Sequence, residues 1–417
     1  MKKPFYGWYL LASLTLAYTV SNGLVLNSLP IFYPELVREF GWNQSEVTRP
    51  AQLLFLLVAV LSPFAGILLD RFSTRHILLT GAGLMTLGIF AFSRMSTLMG
   101  MSAIYLLFSV SLVLCGIISS MYLLTRWFVR YRGIAVGIFL LGSSLGGAIF
   151  NPLAAYFIQT MGWRSAAMTL AVLAVGFLVL PLFLFVRNTP QEMNLQPDGL
   201  EPALLPATNG STASNSAEQQ GPTLQQIIRT PTFYLILIAT AAMWFTILGV
   251  VQHQALYLKD LGGSLPVGSI LGLFFACSLV GKVFFGWLSD RFEKRYIMQL
   301  ATLNMVLGSL LLYLSHRNPQ VLTWAYAVVF GIGFSGTFTI IQVLIADFYS
   351  GRDYGKILGT YTMIDTLAGV GGISFLGFVR SSSGSYQQGF LVMLILCTLA
   401  AICIPFLRKS TLAANEH

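Results

Sequence analysis

Hydrophobic and polar positions in this chain do not alternate; they segregate into long blocks. Twelve apolar runs lie near 7–33, 48–69, 76–93, 99–125, 133–159, 164–187, 232–258, 267–289, 296–315, 320–346, 355–379 and 387–407. Each is long enough to cross a ~30 Å hydrocarbon core as a helix. A backbone in lipid must satisfy its polar groups within its own segment, so the pattern predicts an all-α membrane protein with twelve transmembrane helices. The first run is too long for a signal-peptide core and lacks a small-residue cleavage site, so it is expected to stay as a membrane span. A longer polar break, residues 188–226, is rich in Pro, Ser, Thr, Gln and Asn. It predicts a six-helix bundle at 1–187, a largely flexible cytoplasmic linker at 188–226, and a second six-helix bundle at 227–417.

Composition agrees with this class. The 417 residues are 56% hydrophobic and only 9% charged, far below the roughly 25% charge of soluble domains. Basic residues divide unevenly between alternate loops. With the N-terminus inside, sixteen fall on the inner side, among them Arg126, Arg130, Arg132, Arg352 and Arg408, and seven on the outer side. Both termini are therefore expected in the cytoplasm, and the net charge of +9 follows from topology rather than from nucleic-acid binding. The sequon at Asn209 then lies on the wrong side for glycosylation and reads as a linker accident. Cys115, Cys277, Cys397 and Cys403 sit in apolar runs without metal-ligand spacing and read as packing residues. No nucleophile elbow, phosphate-binding glycine loop or HExxH occurs, so neither an enzyme, nor a cofactor, nor a metal is expected.

The two halves repeat. Gly66, Asp70, Arg71 and Arg75 recur as Gly286, Asp290, Arg291 and Arg295, every position displaced by 220 residues. Gly133, Gly137 and Gly147 match Gly355, Gly359 and Gly369 at a displacement of 222. Two bundles of one fold and one orientation follow, related by a pseudo-two-fold along the membrane normal. In the repeated loop the glycines allow close helix approach. Asp70 and Asp290 can accept from helix N-termini or basic groups across the seam, and the four arginines supply charge. Contacts of this kind, made in one state and broken in another, form a gate.

Lys282 is the one basic residue away from the ends of an apolar run, eight residues before Asp290. That spacing puts it about 12 Å inside the boundary, near mid-membrane. A charge there is costly and marks a functional site. Asp365 lies at comparable depth in the eleventh run, about 15 Å from its inner end, and shares a helical face with Tyr361. A Lys282–Asp365 pair is expected, alongside a purely structural reading of the same acid. His253 is the only histidine within a run rather than at its first residue; it can titrate in an outer vestibule or simply face water at a helix end. Polar stripes run through Ser335, Thr339 and Gln342, through Ser119 and Tyr122, and through Asn22 and Asn27. They can line a pocket or pack helices together.

The loops GILLDRFSTR and GWLSDRFEKR, with the glycine-rich fifth run ending at Pro152, resemble the signature motifs of the major facilitator superfamily over the whole chain. The resemblance implies the major facilitator fold, a central cavity and alternating access. PFYGWYLL, FGWNQSEVTRPAQLLFLLVAVLSPFAG and TPQEMNLQPDG are similar to bacterial monocarboxylate-porter and oxalate–formate exchanger relatives. In these a basic residue of helix 8 binds substrate carboxylate, and Lys282 occupies its position. Asn27 and Tyr361 stand where relatives carry further lysines, so one cation is left for one carboxylate. The resemblance also implies that helices 8 and 11 line the cavity.

The sequence is thus read as a proton-coupled symporter of a small monocarboxylate in a bacterial inner membrane. Its partners are the anion, the proton and the lipid bilayer, and it is expected to be a monomer. Lys282, Tyr122, Asn27, Tyr361 and Gln342 would hold the substrate, and Asp365 and His253 would serve the proton. Electroneutral anion exchange is the alternative; drug–proton antiport and a non-transporting sensor are weaker ones.

Overall fold

The computed structural model describes residues 5–42, 44–199, 223–262, 265–350 and 353–407. Asn209 and most of the polar linker, with Lys2, Lys3, Arg352, Arg408 and Lys409, lie outside the described residues. Every regular element among the described residues is helical. The helices are α1 (Gly7–Phe40), α2 (Gln44–Arg71), α3 (Thr74–Arg94), α4 (Leu98–Trp127), α5 (132–161), α6 (163–185), α7 (Pro231–Asp260), α8 (Val267–Arg291), α9 (Lys294–Leu314), α10 (Pro319–Tyr349), α11 (Tyr354–Ser383) and α12 (Gln387–Cys403).

Residues Arg132–Phe185 form a nearly continuous helical stretch of 54 residues, more than twice the ~20 needed to span a bilayer. Gly162, at φ 78° and ψ 159°, breaks it into α5 and α6. A side chain is disfavoured at that φ, and glycine meets no such cost. The other observed limits lie close to those predicted from hydrophobicity. The largest difference is in α1, which continues past residue 33 to Phe40, where Gly41 closes it at φ 68°. The hydrophobic run stops before the helix does, because hydrogen bonding can continue after the chain leaves the apolar layer.

The chain divides into two compact units. One comprises Met1–Arg130, Ile138–Ala213 and Tyr354–Met363; the other comprises Tyr131–Gly137, Ser214–Asp353 and Ile364–His417. The first turns of α5 therefore group with the second unit, and the first turns of α11 with the first.

Within the first unit, α5 lies against α1 along its glycines. A Cβ on Gly142 would stand 2.8 Å from the Thr15 carbonyl oxygen, and one on Gly146 would stand 2.6 Å from that of Thr19. Small residues permit this approach where lipid offers no hydrophobic drive to associate. Opposite these glycines, α1 widens into a π-helical segment over Asn22–Ser28, within which Asn27 Nδ2 donates to the Asn22 carbonyl at 2.9 Å. The start of the polar break is folded onto this unit. Asn188 Oδ1 accepts from Ser73 Oγ at 2.9 Å and from the Arg75 amide at 3.0 Å, capping α3. Asp198 Oδ2 accepts from the amides of Val129 and Arg130 at 2.9 and 2.6 Å.

Within the second unit, α10 is the central helix, buried along most of its inner half. Close approach at glycine again sets its register: Gly331 meets Phe274 and Gly281 meets Ser335 across α8 and α10, while Gly308 meets Phe330 across α9 and α10. All four cysteines are unpaired, and Cys115 and Cys397 are buried.

Candidate functional site

The repeated loops make equivalent contacts in the two units. In the first, Gly66 of α2 lies against the backbone of Gly355 and Lys356 at the start of α11. In the second, Gly286 of α8 lies against Gly133 at the start of α5. The two aspartates use this proximity differently. Asp290 accepts from the Gly133 amide at 2.6 Å and the Ile134 amide at 2.8 Å, which satisfies donors that a helix N-terminus leaves open. Asp70 pairs with the Lys356 ammonium at 3.2 Å. Lys356 is the repeat counterpart of Ile134, so a side-chain cation stands in one copy where a backbone amide serves the other.

Arg75 and Arg295 do not supply charge to those aspartates. Arg75 Nη2 donates to the Phe183 carbonyl at 2.7 Å, and Arg295 Nη1 donates to that of Leu407 at 3.2 Å. Each ties down the C-terminal end of the last helix of its own half, where carbonyls lack helical partners. Arg291 lies over the Trp287 ring at 4.1 Å, and Arg71 is exposed.

The second unit holds Lys282, Gln342, Asp365 and His253. Lys282 is 1% exposed, and its ammonium lies 5.5 Å from the centroid of the Phe338 ring on α10. Trp244 of α7 packs edge-on against the same ring. Buried polar atoms without a hydrogen-bond partner occur on these helices: Ser278 Oγ, one turn before Lys282, Trp244 Nε1, and Thr339 Oγ1 and Gln342 Oε1 on α10. Such atoms ordinarily find a partner, so their occurrence on three helices of one unit is the strongest structural sign of a ligand or of ordered water.

The expected Lys282–Asp365 ion pair is not formed. Asp365, 4% exposed, accepts through Oδ1 from Thr240 Oγ1 of α7 at 2.8 Å. The rotation of α11 turns the carboxyl toward α7, while the lysine side chain of α8 reaches toward α10. Depth matches between the two residues, but helix faces do not. His253 is held at both ring nitrogens, with Nε2 3.1 Å from the Ile373 carbonyl and Nδ1 3.2 Å from the Tyr386 hydroxyl. A carbonyl can only accept, so Nε2 carries the proton of the neutral ring and Tyr386 donates to Nδ1.

The first unit holds Asn27, Tyr122 and Tyr361. Tyr361 is fully buried and Tyr122 is 7% exposed. Tyr122 accepts from Arg126 Nη2 at 2.9 Å, and the guanidinium lies 4.3 Å over its ring. The ring of Tyr354 stacks beside it at 6.4 Å. Arg126 turns back along its own helix to Tyr122, because the i to i+4 spacing brings the two side chains together. Thr240, Trp244 and Phe338 were missed from the sequence. Only Thr240, a hydroxyl at mid-depth of an apolar run, carried a signal there.

The family model of the Major Facilitator Superfamily matches residues 14–269 and 245–416. The chain is 28% identical over 400 residues to monocarboxylate transporter 13 of Bos taurus, covering 93% of this chain and 86% of that one. It is 22% identical over 421 residues to the uncharacterized MFS-type transporter YcxA of Bacillus subtilis, covering 99% and 98%. Among solved structures, the fucose:proton symporter FucP of E. coli superposes with a TM-score of 0.72 at 15% identity, covering 97% of this chain and all of that one. The proton:xylose symporter XylE superposes with a TM-score of 0.75 at 14% identity, covering 96% and 95%.

Proposed function

The chain belongs to the major facilitator superfamily of membrane transporters, and from that premise we propose that it is a proton-coupled symporter of a small monocarboxylate. The observation that carries this reading is Lys282, a cation 1% exposed at mid-membrane, in a unit whose helices also present unsatisfied Thr339 and Gln342 oxygens. A membrane charge is retained where it serves a substrate or ion path, and an ammonium is a suitable point partner for one carboxylate. The relatedness to a monocarboxylate transporter points the same way.

Tyr122, Asn27, Tyr361 and Gln342 supply hydrogen bonds that fix the orientation of the anion. Asp365 carries the proton: Oδ1 is engaged by Thr240, and Oδ2 makes no hydrogen bond among the described residues, so it can hold one. His253 serves the same path nearer the outer end. The basic-residue distribution supports cytoplasmic termini, and the similarity to YcxA of Bacillus subtilis supports a bacterial inner membrane. The contacts of Asp290 with the start of α5 and of Asp70 with the start of α11 are the cytoplasmic gate, made in one state of the cycle and released in the other.

The test is a thermal-shift screen of small mono- and dicarboxylates at two pH values on wild type and Lys282→Ala. Ligand binding raises the melting temperature by mass action. Loss of every anion-induced shift in the alanine variant is expected; survival of those shifts removes Lys282 as the anchor. Counterflow in proteoliposomes separates the mechanisms, since uptake that needs internal anion but no proton gradient would assign exchange.

A further inference from the structure

A polar cleft lies in the second unit, at the end opposite the Gly-x3-Asp loop. It is open to solvent, measures about 270 Å³ and is lined by Tyr257, Asp260, His316, Arg380, Ser385 and Tyr386 among others, just below the ~300–1,000 Å³ typical of small-molecule sites. None of its groups belongs to the carboxylate site proposed above.

The cavity is built around one ion pair whose two members are each only partly used. Arg380 Nε donates to Asp260 Oδ2 at 2.8 Å. Arg380 Nη1 donates to the Gly384 carbonyl, which the left-handed turn at Gly384, φ 71°, presents to it. The guanidinium also lies over the ring of Tyr386 at 5.7 Å. Among the described residues, Nη2 of Arg380 and Oδ1 of Asp260 make no further hydrogen bond. Two N–H donors on a fixed cation and one oxygen on a fixed anion thus remain available in one small cavity. His316 adds an acceptor: its Nδ1 faces the Tyr313 carbonyl at 2.9 Å, so Nδ1 carries the proton and Nε2 of the neutral ring is left to accept.

The ligand chemistry follows from the charges. A plain anion entering the cavity is attracted by Arg380 and repelled by Asp260; a plain cation meets the reverse. A molecule with one carboxylate and one ammonium a few ångströms apart satisfies Arg380 Nη2 and Asp260 Oδ1 together and leaves their ion pair intact. Its apolar part would lie on the rings of Tyr257 and Tyr386. Because the arginine is already held by three contacts, little side-chain freedom is lost on binding. We propose that this cavity is a binding site for a small zwitterion of the α-amino-acid class, separate from the transport site.

The test uses the full-length protein in detergent with three probes of similar size: L-alanine, propionate and ethylammonium. In the Lys282→Ala background, where the transport site has lost its anion anchor, a saturable rise in melting temperature with L-alanine and with neither other probe is expected. It should be weakened at least about tenfold in Arg380→Gln and in Asp260→Asn, the loss of one charge-assisted hydrogen bond in each. Ser385→Trp, which fills the cleft from an exposed position and leaves the ion pair intact while giving up the bond that the Gln387 amide donates to Ser385 Oγ, should abolish the shift measured against the melting temperature of the same variant without ligand. Equal shifts with propionate in Lys282→Ala, or an L-alanine shift that survives Ser385→Trp, would overturn the proposal, as would no L-alanine shift in Lys282→Ala. Loss of carboxylate binding in Lys282→Ala with the L-alanine shift intact distinguishes this site from the transport site.

Discussion

Thr240 donates a 2.8 Å hydrogen bond to Oδ1 of Asp365 and joins α7 to α11 inside the second unit. Asp365 is 4% exposed and Thr240 1%; the carboxyl depends on this hydroxyl, which can otherwise turn to the Leu237 carbonyl at 3.2 Å. A buried polar group stripped of its partner costs about 1–3 kcal/mol.

Asp365→Asn keeps an oxygen for Thr240 to donate to but cannot carry the proton. It should fold, lose proton-driven accumulation of monocarboxylate and retain counterflow. Thr240→Val should leave the acid in place and lower stability by about 1–3 kcal/mol. Uptake and proton movement in proteoliposomes, with thermal unfolding of the same samples, check both. Intact proton movement in Asp365→Asn would remove this residue from the coupling path.

Substitutions at Lys282 should separate charge from shape. Lys282→Arg keeps the cation and can form a bidentate fork with a carboxylate, so anion binding should survive within about tenfold of wild type, a difference of about 1.4 kcal/mol. Lys282→Gln keeps much of the length but not the charge, and binding should be lost. Titration of carboxylate by calorimetry distinguishes them, and retention of binding by the glutamine variant would count against the point-charge role.

The two copies of the loop motif should respond unequally to neutralisation. Asp290 accepts two backbone amides of a helix start at 2.6 and 2.8 Å, whereas Asp70 pairs with a side chain that is 33% exposed. A partly exposed ion pair is worth about 0.2–1 kcal/mol, and a charge-assisted pair of part-buried amide bonds is worth more. Asp290→Asn should therefore slow transport about tenfold, and Lys356→Met by less than about fivefold. Equal effects of the two variants on initial uptake rates would overturn this ranking.

A Cβ at Gly66 would overlap the backbone of Gly355, which has no flexible end to move aside. Gly83, on the neighbouring helix, faces open space, with nothing within 4 Å of the methyl that alanine would add. Gly66→Ala should abolish transport or lower the melting temperature. Gly83→Ala should be neutral, or stabilise by up to about 1 kcal/mol through helix propensity. Uptake and thermal unfolding measured on both variants test the pair.

Much of the fold is written one segment at a time. Whether residues 99–125 span a membrane depends on the hydropathy of that segment, and the limits of α4 fall within two residues of it. The displacements of 220 and 222 residues already tie Gly66 to Gly286 and Gly133 to Gly355, and the structure brings Gly66 to Gly355 and Gly286 to Gly133 as equivalent contacts. A turn is harder to see. Gly162 separates α5 from α6 through one positive φ, and the sequence there offers only a short polar interruption.

The order of residues is enough to count the membrane helices, to show that the halves repeat, and to place Lys282 deep in an apolar span. These follow because lipid forces each segment to satisfy its polar groups separately. Who meets whom depends on the folded molecule: Asp365 with Thr240 rather than Lys282, Arg75 with the end of α6, and Asp198 with the α4–α5 loop. Side-chain direction turns by about 100° per residue along a helix. Partner choice therefore depends on how each helix is rotated against its neighbours, and that rotation is set by packing between residues far apart in the chain.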